Sequence, residues 1–149
     1  MVDSSLIALV GVGLAILIPI ISAAVTIITC STTIAAVGIK KPGLLSRLII
    51  TVVLGEALAI YGLLIAFMLL SKLPIIETAE TANMALMAGI VIAVASIAAG
   101  AGISYSGSAL AGAALERQET FSSNVIGVVL SEALAIYGLL IAFMIIGQI

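Results

Sequence analysis

The chain has no histidine, no tryptophan, a single cysteine and few charged residues of either sign. Without histidine, and with Cys30 alone in an apolar segment, it cannot form a Cys/His zinc site or an intrachain disulfide. Charged residues make up 8% of its 149 residues, which is too little to cover the surface of a soluble domain. The formal net charge of -2 is small, and nothing indicates a nucleic-acid partner. What remains is a chain that is 64% hydrophobic, a composition typical of membrane proteins.

Polar breaks divide the chain into four apolar runs, at about residues 6–37, 45–70, 84–115 and 122–147. About 20 residues cross the roughly 30 Å of hydrocarbon in a bilayer, so each run is long enough to span it. The runs are continuous rather than alternating, which predicts helices and argues against a barrel. The first run follows Asp3 rather than a basic segment and exceeds a signal-peptide core, so we expect a retained helix. The predicted fold class is an all-α membrane protein with four transmembrane helices.

A seventeen-residue stretch occurs twice, 76 positions apart, as VVLGEALAIYGLLIAFM at 52–68 and VVLSEALAIYGLLIAFM at 128–144. The same offset aligns the whole chain without a gap, so residues 1–75 and 76–149 are predicted to be two tandem helical hairpins. An in-frame repeat of two helices keeps its orientation, and the hairpins are therefore related by rotation about the membrane normal. Parallel repeats of this kind suit a ring in which each hairpin forms one segment of the wall.

The four predicted helices are of two kinds. The first and third carry small residues at a spacing of four, which lets helix backbones approach closely in lipid. The second and fourth are richer in leucine, isoleucine and phenylalanine. We therefore expect a two-layered arrangement, with the first and third helices inside. The stripe on the third helix is the stronger one: Ser96, Gly100, Ser104, Ser108 and Gly112, against Ala24, Thr32 and Ala36 on the first.

The distribution of basic residues predicts an orientation. Only Lys72 lies at the second break, whereas the first and third breaks carry the remaining four. The positive-inside rule then places the two hairpin loops in the cytoplasm and both termini outside. These four residues are Lys40, Lys41, Arg47 and Arg117.

Each copy of the repeated stretch places one carboxylic acid, Glu56 or Glu132, within a membrane span. An acid at that depth costs roughly 2.5–3.5 kcal/mol on insertion scales and indicates a functional site. The carboxyl is tolerable when protonated and costly when ionised, so it suits a group that takes a proton from one aqueous path and releases it to another. Two other roles stay open: neutralising a bound cation, and a purely structural hydrogen bond between helices.

The motif E-A-L-A-I-Y-G-L-L-I-A-F closely resembles the outer-helix motif of rotor-ring proteolipids, the c or K subunits of rotary ATPases. The duplicated four-helix form resembles the V-type and archaeal A-type members, over essentially the whole chain. This resemblance implies a protein without catalytic chemistry, assembled with other copies of itself into a ring that turns against a stator. Each glutamate is then protonated while it faces lipid and deprotonated beside an arginine supplied by the stator.

The resemblance also implies roles for other residues. Tyr61 and Tyr137 match the family's tyrosine and would donate a hydrogen bond to a glutamate on a neighbouring helix. The loop residues Lys40 and Lys41, with Glu116 and Arg117 in the second hairpin, would contact the central stalk. Many V-type proteolipids keep one acid per four helices, whereas here both hairpins carry one. More charges per turn mean more transport work, which is compatible with ATP synthesis as well as pumping.

The translocated ion is expected to be a proton, and no cofactor or metal is implied. The sodium-type pattern has Thr-Gln directly after the first site and a glutamine on the third helix. Here Ala57-Leu58 follow Glu56, and the third-helix position falls near Tyr105. Sodium stays the alternative, because other oxygens lie within the spans: Thr29, Ser31, Ser104 and Ser106.

Two other functions compete with the rotor ring. A small proton-coupled exporter would need aromatic residues to hold a cationic ligand, and only 4% of the residues are aromatic. A passive pore leaves both acids unexplained. We expect a multi-pass protein of the cell membrane of an archaeon or bacterium, or of an endomembrane in a eukaryote.

Overall fold

The computed structural model describes residues 3–149, and four long apolar helical segments make up nearly all of them. No strand occurs in this range, so the predicted all-α class is confirmed. Short 3-10 turns at Pro42–Leu44, Leu73–Ile75 and Gln118–Thr120 join the helices. The helices are α1 (Ser4–Lys40), α2 (Leu45–Leu48), α3 (Ile50–Lys72), α4 (Ala79–Glu116) and α5 (Phe121–Ile146).

Local capping residues set the helix starts. The Asp3 carboxylate accepts a hydrogen bond from the backbone N–H of Ser5 at 3.2 Å. The Thr78 hydroxyl accepts one from the backbone N–H of Thr81, also at 3.2 Å. A side-chain oxygen of this kind satisfies one of the free N–H groups in the first helical turn. Helix α4 therefore begins at Ala79, several residues before its apolar run.

The helices form two layers. Helices α1 and α4 make the most extensive contact, α3 packs on α1, and α5 packs on α4. Helices α3 and α5 touch each other only along a narrower strip. Large apolar side chains cover the outer surface, as a bilayer environment requires. This arrangement matches the predicted inner pair of small-residue helices and outer pair of larger ones.

Glycine and hydroxyl side chains hold the α1–α4 seam together. A Cβ at Gly89 would overlap the carbonyl oxygen of Gly11, so the two backbones meet there without intervening side chains. Further along, the Ser22 hydroxyl donates to the Ser96 carbonyl at 2.6 Å, and the Thr26 hydroxyl lies 3.1 Å from the Gly100 carbonyl. Small residues and interhelical hydrogen bonds are what bind helices where lipid removes the hydrophobic force between them.

The single difference within the repeated stretch is compensated on the inner helix. In the first hairpin a Cβ on Gly55 would lie 2.7 Å from the Thr26 methyl group. In the second hairpin the equivalent pair is reversed: Ser131 stands on the outer helix, and a Cβ on Gly102 would lie 2.7 Å from it. Each hairpin therefore has one small and one larger partner, on opposite helices, which keeps the spacing between helices similar.

Pro19 lies inside α1 and is buried against α3. Proline leaves the carbonyl four residues before it without its helical partner, here that of Ala15. A Cβ on Gly62 would lie 2.5 Å from that carbonyl oxygen and 2.6 Å from the Pro19 ring. The glycine of the repeated stretch thus covers the position at which the helix loses a hydrogen bond.

Candidate functional site

Glu132 lies on α5 and is 8% exposed, one of the few buried polar side chains within residues 3–149. The Tyr61 hydroxyl, on α3, donates a hydrogen bond to its carboxyl oxygen Oε1. The two residues belong to different hairpins, and the contact forms because α3 and α5 run side by side at this level. A buried acid in hydrocarbon needs a polar partner, and the Tyr61 phenol supplies it.

The other two residues predicted for the site do not meet. Glu56 lies exposed on α3, and Tyr137 on α5 is 61% exposed. They occupy the same positions in the repeat as Glu132 and Tyr61 respectively. One chain therefore contains one assembled glutamate–tyrosine pair and the two separated components of a second.

No basic residue accompanies the glutamates at their depth. All five lysines and arginines lie at helix ends or in the connecting segments. Glu132 is therefore buried without a positive partner within residues 3–149.

Most of the additional hydroxyl groups that could bind sodium form hydrogen bonds with other groups of the chain. The Thr29 hydroxyl donates to the Val25 carbonyl at 2.8 Å, and the Ser106 hydroxyl to the Gly102 carbonyl at 2.6 Å. The Ser104 hydroxyl lies 3.5 Å from that of Thr26, within the α1–α4 seam. Ser31 is exposed on α1. None of these hydroxyls forms a hydrogen bond with either glutamate within the described residues.

A groove of about 680 Å³ runs between α1 and α4. Its walls combine apolar side chains with the hydroxyls of Ser22, Thr29 and Tyr105. Neither glutamate lines it. This groove is therefore separate from the two glutamates.

Of the loop residues predicted to contact a stalk, one is tied down within the chain. The Lys41 ammonium donates a hydrogen bond to the Leu115 carbonyl at the end of α4. Lys40, Glu116 and Arg117 are exposed at the same end of the helices. Sequence reasoning missed the Lys41 contact, as it missed the Ser22 and Thr26 bonds, because each depends on how the two hairpins pack together.

A membrane hairpin with an acid in its second helix, repeated once in tandem, is the architecture of a proteolipid. The family of ATP synthase C subunits matches twice, at residues 10–69 and 86–145, and the chain belongs to this family. It is an integral membrane protein with two tandem copies of the family's helical hairpin.

The curated relatives narrow the type. The chain is 29% identical over 139 residues to the 16 kDa proteolipid c subunit of the V-type proton ATPase of Rattus norvegicus, covering 93% of the chain and 90% of the relative. It is 30% identical over 134 residues to the c' subunit of the V-type proton ATPase of Candida glabrata, covering 89% and 82%. The resemblance to V-type rotary-ATPase proteolipids is thereby confirmed.

Proposed function

We propose that the chain is the ion-carrying component of the membrane rotor ring in a V/A-type ATPase or ATP synthase, with protons carried on Glu56 and Glu132. The observation that carries this proposal is the buried Glu132 carboxyl with the Tyr61 phenol on it, at the junction of two hairpins. An acid held neutral at membrane depth, on an outer helix, can be carried past lipid without the cost of a bare charge. The chain itself performs no catalytic chemistry.

The second carrier follows from the repeat. Tyr61 lies in the first hairpin and bonds to Glu132 in the second. If the second hairpin contacts the first hairpin of the next copy in the same way, Tyr137 of one copy pairs with Glu56 of the next. Both side chains are exposed on the single chain and free to meet across such a junction. In a closed ring of copies, every glutamate then has a tyrosine from the preceding hairpin.

Protons are favoured over sodium by the small number of oxygens at the buried acid. Glu132 has one side-chain hydrogen-bond partner within residues 3–149, the Tyr61 hydroxyl. A dehydrated sodium ion needs several oxygen ligands, whereas a proton needs only the carboxyl itself. The nearby serine and threonine hydroxyls satisfy backbone carbonyls of their own helices or of the inner seam.

The remaining partners follow from the mechanism of the family. A stator subunit supplies the arginine beside which each glutamate loses its proton, and a central stalk contacts the hairpin loops at Lys40, Lys41, Glu116 and Arg117. The loops face the cytoplasm, in the cell membrane of an archaeon or bacterium, or in an endomembrane of a eukaryote. Clustering of four of the five basic residues at this end supports that orientation.

Carbodiimide labelling tests the proposal, because the reagent attacks protonated carboxyl groups. In membranes holding the intact ring, we expect labelling of Glu56 and Glu132 that slows as the pH rises. The exposed loop acid Glu119 is the matched control and should stay unlabelled at neutral pH. Protection of both sites by added Na⁺ at constant pH would show that sodium, rather than protons, is the translocated ion. Labelling independent of pH would contradict reversible protonation altogether.

Oligomeric state separates the ring from the exporter. Native mass spectrometry of the detergent-extracted protein should give a closed assembly of many copies. A dimer would support the exporter, although the groove between α1 and α4 carries neither glutamate for a cationic substrate.

A further inference from the structure

The end of α4 is capped by a residue from the other hairpin. The last carbonyls of a helix have no intrahelical N–H partner, and a lysine or arginine near that end can bond to them. Here the Lys41 ammonium, from the residue that follows α1, donates to the Leu115 carbonyl. Lys41 is correspondingly half-buried, although it lies in a loop.

Arg117 stands where Lys41 stands, one hairpin later. Each is the residue directly after an inner helix, and each precedes a 3-10 turn. Their backbones agree closely, with φ −140° and ψ 82° at Lys41, and φ −136° and ψ 103° at Arg117. Each backbone N–H also closes its own helix in the same way, onto Val37 and Ala113. Yet Arg117 is exposed, and its guanidinium has no hydrogen-bond partner within residues 3–149.

The matching acceptor is also open. One repeat before Leu115 lies Ile39, in the last turn of α1, and it is 86% exposed. Its carbonyl belongs to the group that cannot be satisfied within the helix. Within the described part of the chain there is thus a donor without an acceptor at one edge, Arg117, and an acceptor without a donor at the other, the Ile39 carbonyl.

We propose that Arg117 of each copy donates to the Ile39 carbonyl of the next copy, so that the hairpin loops form a continuous circle of helix caps. This inference rests on the proposed ring and adds a second contact to the Tyr137–Glu56 junction. Both contacts arise from the same shift by one hairpin, and both point to the same neighbouring copy.

The helix faces on either side of this contact are compatible with a second copy. On α1, the positions one repeat before the small-residue stripe of α4 lie on the exposed surface: Ile20, Ala24, Ile28, Thr32 and Ala36. On α4, the positions one repeat after Ser22, Thr26 and Cys30 are small: Ala98, Gly102 and Ser106. Because two of these three lack a hydroxyl, the seam between copies has fewer hydrogen bonds than the seam inside the chain. A charged cap at its end therefore contributes a larger share of its stability.

The test measures the temperature at which the detergent-purified ring falls apart into single chains on a denaturing gel. Arg117→Ala should lower this temperature, and Arg117→Lys should keep it close to that of the wild type. Arg47→Ala is the matched control, since it removes the same charge from an exposed site at the same end and should change little.

Each outcome decides the question. Equal temperatures for Arg117→Ala and the wild type would overturn the cap and leave the ring intact, as expected if Arg117 serves only a stalk protein. An equal drop for Arg47→Ala would also overturn it, because charge alone would then explain the effect. Absence of a ring from the wild-type protein would overturn the proposed function itself.

A second measurement does not depend on stability. With Cys30 replaced by alanine, the pair Ile39→Cys and Arg117→Cys should give a ladder of cross-linked chains with a short thiol reagent. The pair Lys41→Cys and Leu115→Cys probes the contact within a chain and should give cross-linked single chains without a ladder. A ladder from the second pair but not the first would contradict the proposed register.

Discussion

Glu132 and Glu56 lie in nearly identical sequences but in different surroundings. Glu132 is buried beneath a tyrosine of the other hairpin, whereas Glu56 stands exposed on the opposite edge of the four-helix unit. The seventeen residues around each acid therefore do not determine its environment. The neighbouring hairpin does, and in the proposed ring the hairpin beside Glu56 comes from another copy. In the proposed ring, the functional unit is then the junction between two hairpins rather than one hairpin or one chain.

The largest effect is expected from removing the acids themselves. Glu56→Gln and Glu132→Gln should each reduce proton transport by the complete complex to background, because a glutamine cannot release a proton to the stator. Acidification of sealed vesicles driven by ATP measures this, with Glu119→Gln as the control of unchanged activity. If only Glu132→Gln abolished transport, the two acids would differ in function as well as in surroundings, and Glu56 would lose its role as a carrier.

An intermediate effect is expected from the compensated pair on the inner and outer helices. Gly55→Ser places a side chain against the buried Thr26, and overpacking of this kind costs about 1–3 kcal/mol. The double variant Gly55→Ser with Thr26→Gly reproduces the arrangement of the second hairpin and relieves the overpacking, although it also removes the Thr26 bond to Gly100. We therefore expect it to lose less stability than the sum of the two single variants. Thermal unfolding in detergent gives the comparison. An additive double variant would show that the two residues do not compensate each other.

The smallest effect is expected from removing the tyrosine hydroxyls, and it tests directly whether the two acids have equivalent surroundings. Tyr61→Phe removes the hydrogen bond on Glu132, which is worth about 0.5–1.5 kcal/mol, or roughly two- to tenfold in an equilibrium. In dissociated single chains it should change carbodiimide labelling of Glu132, while Tyr137→Phe should leave Glu56 unaffected. In the assembled ring the two substitutions should act alike. A Tyr137→Phe chain that behaves identically in both states would contradict the shared junction.

The sequence was sufficient for the fold class and the family. Long apolar runs predict membrane-spanning helices, because about 20 apolar residues in a helix can cross the hydrocarbon of a bilayer. The repeated stretch around Glu56 and Glu132 identifies the two acids from the sequence alone, because an acid within a span is costly. It could not show that Tyr61 reaches Glu132, because residues 71 positions apart in sequence are brought together only by the packing of two outer helices. The start of α4 at Ala79 likewise depends on the Thr78 cap rather than on hydrophobicity. The Lys41 cap was hidden because a lysine in a loop looks the same whether it is solvated or bonded.

The reversed Gly55–Thr26 and Gly102–Ser131 pairs restrict how this gene can change. The near-identical outer-helix stretches at 52–68 and 128–144 invite one to be copied over the other during recombination. Copying only the outer-helix segment would place a serine opposite a threonine in the first half, or a glycine opposite a glycine in the second. Either product would pack poorly between the inner and outer helix. Only exchange of an entire hairpin keeps each small residue opposite a larger one, so single helices can no longer be exchanged between the two halves.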